Sequence, residues 1–410
     1  MTNYVTHLES AIDGTRLEAD RLQTMHAGRP LWVRYDLDSV RDSLTKERLQ
    51  QREPTMWRYR ELLPADSEAA IVSLGEGMTP MLRCRRLGDR LRLSDLWIKD
   101  ESQLPTGSFK SRGQAAAITM AKRFGVRRVA IPTAGNAGGA MAAYAARAGM
   151  EAFVFMPADA PSINQFEAQA AGAKVFLVDG LITDCGAIVR AGIESMGWFD
   201  ISTLKEPYRI EGKKTMGLEI AEQFDWKLPD VIVYPTGGGT GLIGMWKAFN
   251  ELAAMDWLES PTMPRMVAVQ SSGCCPIARA FDKQERFAEP FPEAQTIASG
   301  IRVPVAVGDF MILDAIRESD GTAVSVDDNK IIDWMSRATA AEGISICPES
   351  AACVAAVESL VASDWIKPDE RVVVLNCAAI QKYSNLAETP PPLVENTADP
   401  DWDWIARGGV

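Results

Sequence analysis

The hydrophobic pattern from about residue 95 onward alternates between short apolar runs and longer amphipathic stretches. The short runs are rich in β-branched and aromatic residues, which favour strands, and the longer stretches repeat with a helical period. Strands are predicted at DLWIKD (95–100), RRVAIPT (127–133), EAFVFMP (151–157), KVFLVDG (174–180), DVIVYPT (230–236), RMVAVQSSG (265–273) and VVVLN (372–376). Continuous apolar strands separated by helices are typical of buried parallel sheets, so the pattern indicates an α/β fold.

The two ends of the chain do not follow this alternation. The first 65 residues are charged and contain the aromatic segment MWRYRELLP (56–64). We predict a helical arm over residues 1–65 that packs on the body of the protein or on a second subunit. Residues 391–410 are rich in proline and acidic residues, and we predict a tail that lies extended on the surface.

Composition narrows the class of protein. A chain of 410 residues is long enough for two domains, and 47% hydrophobic with 24% charged residues is ordinary for a globular core. The net charge of -12 argues against a nucleic-acid partner, which needs a basic surface. No uncharged apolar run reaches the roughly 18 residues of a membrane span, and the polar N-terminus does not resemble a signal peptide. We therefore expect a cytoplasmic protein without a membrane partner.

Histidine and cysteine usage limits the chemistry further. The two histidines, His7 and His26, both lie in the N-terminal arm, so the core has none for a Ser-His-Asp, Cys-His or histidine-metal site. The seven cysteines are scattered without a Cys-x-x-Cys pair, which predicts neither a disulfide framework nor a metal site. An enzyme of this composition has to move protons with lysine, carboxylate or a cofactor.

Four loops stand where ligands bind in open α/β sheets, at the carboxyl ends of strands. The first, DESQLPTGSFKSRG (100–113), places Lys110 between a glycine-hydroxyl turn and an alanine-rich helix. A lysine in an apolar pocket has a lowered pKa and can form a Schiff base with an aldehyde. A lysine in the first turn of a helix more often points to water, so this loop alone leaves both interpretations open.

The second loop is PTAGNAGGA (132–140), where a strand ends and a helix begins. Free N–H groups and the helix dipole at Thr133, Gly135 and Asn136 would bind a carboxylate or another anion. Asn136 as an ordinary helix cap explains the same residues equally well.

The third and fourth loops follow the strands near residues 234 and 376. In PTGGGTG (235–241), three consecutive glycines let the backbone approach a ligand and form a phosphate nest. Because such a triplet is entropically costly, we favour a functional role over a simple turn. VVVLNCAAIQKY (372–383) is a buried strand that ends near Cys377, for which a core thiol is the simplest interpretation.

Taken together, the loops supply a phosphate nest, an amine and a carboxylate cradle, without histidine or metal. Pyridoxal phosphate needs this combination, because its phosphate requires the nest, its aldehyde requires a lysine and its ring acts as an electron sink. The sequence therefore predicts pyridoxal phosphate as the cofactor and Lys110 as the residue that carries it.

Several motifs also resemble one enzyme family. Residues 73–383 resemble the threonine synthase branch of the type II, tryptophan synthase β-like pyridoxal-phosphate enzymes. The resemblance rests on SLGEGMTP (73–80), KDESQLPTGSFKSRG (99–113), TAGNAGG (133–139), EPYRIEGKKT (206–215), PTGGGTG (235–241) and CPESAA (347–352), with MWRYRELLP in the arm. It implies two open twisted, mostly parallel sheets flanked by helices, and we expect a homodimer. The implied division is a large cofactor-binding domain (66–113 and 218–390) and a smaller mobile domain (114–217).

The resemblance also assigns roles to individual residues. It places the cofactor on Lys110, Phe109, Asn136, Gly237, Gly238, Gly239, Thr240, Gly241 and Cys377. It places the amino-acid substrate on Ser108, Thr133, Ala134, Gly135, Arg209 and Lys213. In this scheme Lys110 forms the Schiff base and abstracts the α-proton, Asn136 bonds the ring hydroxyl, and Cys377 lies beside the pyridine nitrogen.

Three departures from the threonine synthase pattern bear on the substrate. The first is Ser111, which stands where Asp is usual. The second is Glu206 where Asn is usual, together with MPADAPSINQFEAQAAGA (156–173), which has two acidic residues where a basic one is common. The third is NCAAIQKY (376–383), which stands where many threonine synthases show Asn-Thr-Gly-x-Gly-Leu-Lys-Tyr. The first hypothesis is threonine synthase, acting on O-phosphohomoserine. The second, which Ser111, Glu206 and Cys377 favour, is a serine/threonine-type ammonia-lyase or a related lyase of a hydroxyamino acid. The third is a non-catalytic cofactor- or nucleotide-binding protein on the same scaffold.

Overall fold

The computed structural model describes residues 3–386, 392–394 and 401–407. Within them the strands are β1 (Val5–Ser10), β2 (Arg16–Leu17), β3 (Leu31–Tyr35), β4 (Met81–Arg83), β5 (Asp95–Asp100), β6 (Arg128–Pro132), β7 (Glu151–Pro157), β8 (Lys174–Val178), β9 (Phe199–Asp200), β10 (Val231–Pro235), β11 (Arg265–Ser271), β12 (Thr322–Val326) and β13 (Arg371–Asn376).

The helices of the described residues follow the predicted alternation. They are α1 (Leu37–Ser43), α2 (Lys46–Gln50), α3 (Arg85–Leu91), α4 (Lys110–Arg123), α5 (Asn136–Ala148), α6 (Ser162–Ala170), α7 (Ile182–Ala191), α8 (Ile193–Met196), α9 (Tyr208–Gln223), α10 (Thr240–Ala254), α11 (Pro276–Asp282), α12 (Asp309–Glu318), α13 (Asp328–Glu342), α14 (Pro348–Ala362) and α15 (Trp402–Ala406). Short 3-10 helices lie at Met56–Leu62, Glu68–Ala70, Glu101–Gln103, Ser299–Ile301 and Ile380–Leu386.

The larger sheet has six strands in the order β12-β11-β10-β13-β5-β4. Every neighbouring pair is parallel except β4 with β5, which is antiparallel. Because β5, β13 and β10 are adjacent and parallel, the loops that follow their carboxyl ends lie at one edge of the sheet. Those loops carry Lys110, Cys377 and the glycine triplet.

The smaller sheet has four parallel strands in the order β8-β7-β6-β9. The carboxyl end of β6 leads into the loop 133–135 and then into α5. Two mostly parallel sheets flanked by helices confirm the predicted fold class. The division into a large domain and a mobile small domain stays a prediction, although all four strands of this sheet fall between residues 114 and 217.

Glycine residues bring α9 close to both of its neighbouring helices. A Cβ added at Gly212 would lie 2.0 Å from the Arg112 carbonyl oxygen of α4, and one at Gly244 of α10 would lie 2.8 Å from the Lys214 nitrogen. Because these backbones nearly touch, α9 is fixed against α4 and α10. This packing carries Arg209 and Lys213 to the end of α4 where Lys110 begins.

The N-terminal arm differs from the prediction. It contains a three-stranded antiparallel sheet, β2-β1-β3, and only α1, α2 and the 3-10 helix Met56–Leu62 are helical. A helical arm over residues 1–65 is therefore wrong. Leu8, Leu31 and Val33 are buried in one apolar cluster, because alternate residues of β1 and β3 point to the core. The charged composition concealed this alternation.

Half of the predicted extended tail, residues 391–410, lies outside the described residues. The described part includes the short helix α15, so an extended conformation is wrong there. None of the described helices is both long enough and apolar enough to cross a membrane.

Candidate active site

Lys110 is the first residue of α4 and is half-buried, rather than pointing freely into water. Its Nζ lies 4.0 Å from the centre of the Phe109 ring. Burial lowers the pKa of Lys110 to about 8, and the positive charge of Arg209 adds to this effect. A usable fraction of the amine is therefore neutral near pH 7, as Schiff-base formation requires.

Lys213 lies beside Lys110 but is held differently. It is fully buried, its Nζ donates a hydrogen bond to the Phe109 carbonyl oxygen, and it also lies 4.0 Å from the centre of the Phe109 ring. Burial, with the charges of Lys110 and Arg209, places its pKa well below the usual range. The structure thus brings the predicted residues Lys110, Phe109, Arg209 and Lys213 together, with Lys213 bound to the loop backbone.

The glycine triplet forms a close turn between β10 and α10. Gly239 has a φ of +69°, in the left-handed region that favours glycine, and a Cβ there would lie 2.3 Å from Ile312 Cδ1. A Cβ at Gly237 would lie 2.8 Å from Val303 Cγ2, and one at Gly238 would lie 3.0 Å from Thr203 Cγ2. Side chains are therefore excluded from this turn, and free N–H groups at the start of α10 can meet an anion.

The start of α10 joins this turn to the lysine loop. Thr240 is buried at the first helical position, and a Cβ at Gly241 would lie 2.2 Å from the Tyr234 hydroxyl oxygen. The ring of Tyr234 packs edge-on against Phe109, with ring centres 6.1 Å apart. The packing of Phe109 on Tyr234 therefore places the loop of Lys110 next to the start of α10.

Asn136 begins α5 and contacts the segment that follows β13. Its Nδ2 donates a hydrogen bond of 3.4 Å to the Tyr383 hydroxyl, while its Oδ1 is buried without a hydrogen-bond partner among the described residues. The Ser108 hydroxyl, two residues before Lys110, is likewise buried without a partner in this part of the chain. A buried polar atom without a partner costs about 1–3 kcal/mol, so a bound polar ligand would stabilise both.

The predicted carboxylate cradle lies at the N-terminus of α5. The Thr133 hydroxyl donates a hydrogen bond of 3.1 Å to the Gly135 carbonyl oxygen, and its oxygen accepts one of 3.1 Å from the Gly135 N–H. Ala134, between them, is half-buried. The loop is therefore folded on itself in this conformation, and its role in binding a substrate carboxylate remains a prediction.

Cys377 lies directly after β13, and its backbone is hydrogen-bonded to the loop that carries Lys110. Its carbonyl oxygen accepts a hydrogen bond of 2.9 Å from the Phe109 N–H, and its own N–H donates one of 2.9 Å to Ser350 Oγ. Burial raises the pKa of the Cys377 thiol well above its usual range, so the thiol stays neutral. A neutral thiol suits both a core cysteine and a weak partner for an unprotonated ring nitrogen.

Replacing Cys377 by aspartate tests these two roles. If the side chain lies beside the ring nitrogen, a carboxylate will favour a protonated ring, shift the visible absorbance and add transamination to the products. Spectra and product analysis of Cys377→Asp, with Cys353→Asp as a control for a buried thiol on α14, measure this. The same spectrum and product ratio as the wild-type protein would contradict a place at the ring.

Arg209 and Glu206 lie at the start of α9. Arg209 is almost fully buried and donates a hydrogen bond of 3.1 Å to the Ile201 carbonyl oxygen, while its Nε has no partner among the described residues. The Glu206 carboxylate accepts hydrogen bonds from the N–H groups of Tyr208 (2.8 Å) and Arg209 (3.2 Å). Burial raises the pKa of Glu206 to about 7, although these contacts oppose the shift.

Beneath the lysine loop lies a buried ionic network that sequence reasoning missed. Arg112 Nε lies 2.6 Å from Glu101 and its Nη1 2.5 Å from Glu219, and Lys99 Nζ lies 2.7 Å from the same Glu219. All four side chains are fully inaccessible to solvent. The network joins β5, α4 and α9, so it fixes the backbone that carries Lys110. Lys99, Glu101 and Arg112 all lie in the quoted motif KDESQLPTGSFKSRG, a signal that could have indicated a structural role.

Because of this network, we expect the free energy of unfolding to fall in acid. Burial raises the pKa of Glu219, but Arg112 and Lys99 outweigh it and hold the pKa at about 2, below its ordinary value of 4.5. A lowered carboxyl pKa stabilises the fold fully above the unfolded value, and that stability is lost as the pH falls from about 4.5 to 2. We expect unfolding by urea to become easier by about 3 kcal/mol across this range.

The matched control for this prediction is Glu219→Gln, whose stability is expected to change less with pH over the same range. Urea titrations of both proteins at several pH values measure the difference. Equal pH dependence in the two proteins would show that Glu219 does not carry the effect.

A separate cavity of about 400 Å³ lies between the N-terminal sheet, α10 and α12, and is lined by residues such as Trp32, Trp246 and Phe310. None of the predicted site residues lines it. The chemistry of Lys110 and the glycine turn therefore lies elsewhere, at the carboxyl ends of the strands.

Comparison with known proteins places these observations in a family. Residues 72–378 match the family model described as pyridoxal-phosphate dependent enzyme. A threonine synthase of Methanocaldococcus jannaschii is 34% identical over 355 residues, covering 86% of this chain and 87% of that protein. A threonine synthase of Methanosarcina acetivorans is 36% identical over 351 residues, covering 85% of each.

Solved structures share the fold. The maize serine racemase matches with a TM-score of 0.64 at 23% identity, over 73% of this chain and 88% of that one. The diaminopropionate ammonia lyase of Escherichia coli matches with a TM-score of 0.65 at 20% identity, over 76% and 87%. The region that matches the family model, residues 72–378, contains Lys110, the TAGNAGG loop, the glycine triplet and Cys377. The chain belongs to the pyridoxal-phosphate-dependent enzymes, as a threonine synthase-like lyase of the type II fold.

Proposed function

We propose that this protein is a threonine synthase, which converts O-phospho-L-homoserine and water to L-threonine and phosphate. The similarity to two threonine synthases over 85–86% of the chain supports this proposal. The observation that carries it is Lys110, a half-buried amine with a pKa lowered to about 8, beside the buried cation Arg209. The family cofactor, when bound, supplies the electron sink that stabilises a carbanion at the substrate α-carbon.

Each candidate residue has a task that follows from its position. Lys110 would hold the cofactor, and its amine is neutral often enough to accept the α-proton of the substrate. The turn Gly237–Gly239 and the start of α10 bind the cofactor phosphate through N–H groups. Asn136 and Ser108 offer their unpartnered polar atoms to the bound molecules.

The phosphate leaving group also needs cationic or N–H partners. It carries nearly two negative charges, which are bound best by guanidinium, ammonium or backbone N–H groups. Arg209 has an unpartnered Nε and lies close enough to Lys110 to lower its pKa. Lys214 does not serve here, because it is ion-paired with Glu211 and Glu251 in a buried cluster.

One observation favours the second candidate, an ammonia-lyase of serine or threonine. Glu206 places a carboxylate on the free N–H groups at the start of α9, where an anion of the substrate could otherwise bind. In addition, residues 158–173, which include α6, contain no lysine or arginine. A substrate with an uncharged hydroxyl leaving group would not meet repulsion from Glu206.

The two functions are separated by their products. Purified protein is incubated separately with O-phosphohomoserine, serine and threonine, and free phosphate and keto acid are assayed. Phosphate and threonine from O-phosphohomoserine support threonine synthase, whereas keto acid from serine or threonine supports the ammonia-lyase. Absence of all these products, together with absence of a visible cofactor band, would support a non-catalytic binding protein. The cytoplasmic location and the homodimer remain predictions.

A further inference from the structure

The two acidic residues that distinguish the segment after β7, Asp159 and Glu167, each lie near a cation. Glu167 Oε1 on α6 lies 2.7 Å from Lys382 Nζ, in the 3-10 helix that follows β13. Asp159 lies 3.9 Å from Arg302 Nη2, beside the glycine turn. Both carboxylates belong to the part of the chain that forms the smaller sheet, and both cations belong to the part that forms the larger one.

Glycine residues of the two functional loops make room for the Glu167–Lys382 pair. A Cβ at Gly139 of α5 would lie 2.0 Å from Glu167 Oε2, and a Cβ at Gly107 would lie 3.0 Å from Lys382 Cε. Gly107 precedes Lys110 by three residues, and Gly139 lies in the first turn after Asn136. The pair therefore lies between the loop that carries Lys110 and the loop that carries Asn136, and we call the space between these two loops the cofactor cleft.

Because the Glu167–Lys382 pair is partly buried, its electrostatic attraction is stronger than that of an ordinary surface ion pair. The side chains of Lys382 and Glu167 are 11% and 22% exposed, and Glu167 Oε2 is buried without a hydrogen-bond partner in the described part of the chain. Partial burial reduces screening by water and salt. The Arg302–Asp159 contact is longer and far more exposed, so it contributes less.

We propose that the Glu167–Lys382 ion pair is a latch that holds the smaller sheet closed over the cofactor cleft. The hydroxyl of Tyr383, next to Lys382, accepts a hydrogen bond of 3.4 Å from Asn136 Nδ2 across the same cleft. The closed arrangement therefore has a second contact beside the latch. Opening the latch admits ligands, and closing it excludes water from the reacting centre. The latch requires the cofactor cleft assigned above but does not depend on which amino acid is the substrate.

The test measures reagent entry into the cofactor-loaded protein. Hydroxylamine, a small uncharged nucleophile, removes the visible absorbance when it reaches the Schiff base at Lys110. We expect this loss to be about fivefold faster in Glu167→Gln and in Lys382→Gln, and no faster again in the double variant. The charge-swapped protein, Glu167→Lys with Lys382→Glu, is expected to return towards the wild-type rate.

An ion pair elsewhere in the smaller sheet provides the control. Glu151 pairs with Lys174 at 2.7 Å, but their side chains are 44% and 56% exposed and lie on strands β7 and β8. Glu151→Gln should leave reagent entry unchanged. Amide hydrogen exchange should rise in α6 and in residues 380–386 of the latch variants alone.

Two results would overturn the latch. One is unchanged reagent entry and unchanged exchange in both single variants, and the other is a double variant whose effect equals the product of the two single effects. Failure of the active-site assignment looks different, because a protein without a visible absorbance band would remove Lys110 as the cofactor lysine. A normal band with wild-type reagent entry in every variant overturns the latch alone.

Discussion

Replacement of Lys110 by alanine is expected to abolish turnover and to remove the visible absorbance of the bound cofactor. Lys110 is predicted both to hold the aldehyde and to move the α-proton, so one substitution removes two functions. We expect activity to fall by at least about 10³-fold, because a positioned base alone contributes about 10²–10⁴-fold. Absorbance spectra and the product assay described above measure the two losses.

Lys122→Ala is the matched control for this prediction. Lys122 lies on the same helix, α4, but at its exposed end. The control should keep both the spectrum and the activity. Full activity in Lys110→Ala would contradict the role of Lys110. A visible band that persists in an inactive Lys110→Ala protein would instead favour the non-catalytic hypothesis.

Replacement of Arg112 by methionine should produce the largest loss of stability. The substitution keeps much of the side-chain volume but leaves the buried carboxylates of Glu101 and Glu219 with fewer cations. Removing one partner from a buried ion pair costs about 3–5 kcal/mol in the free energy of unfolding. Urea titration near pH 7 measures this loss, and cofactor binding should weaken in parallel because the network supports the lysine loop.

The control for this change is Arg337→Met on α13. Arg337 pairs with Asp333 at 2.7 Å, but their side chains are 44% and 54% exposed. Since exposed pairs contribute about 0–1 kcal/mol, this variant should remain close to the wild-type stability. Equal losses in the two variants would mean that the Arg112 network is no more important than a surface pair.

The candidate site could be predicted in large part because its residues are concentrated in short motifs. Lys110, Asn136, the glycine triplet and Cys377 each follow a strand, and the strand pattern alone predicts that such loops meet at an edge of a parallel sheet. The left-handed φ of Gly239 and the lowered pKa of Lys110 agree with the chemistry expected from their local sequence. Local sequence was sufficient here because each loop carries its own polar groups.

The N-terminal arm shows where local sequence was insufficient. Its charged residues suggested helices, but β1 and β3 pair because alternate residues, among them Leu8 and Val33, are buried against the rest of the protein. A half-buried strand depends on a surface that it packs against, and such a surface is not written in the segment itself.

The sequence by itself determined the alternation of strands and helices, the positions of the four loops and the nature of the cofactor. Only the tertiary structure decided which charged residues meet. It paired Arg112 with Glu219, bound Lys213 to the Phe109 backbone and set Glu167 against Lys382. These contacts join residues that are distant along the chain. Their partners are selected by the packing of α9 on α4 and of α6 across the cleft, which no single motif specifies.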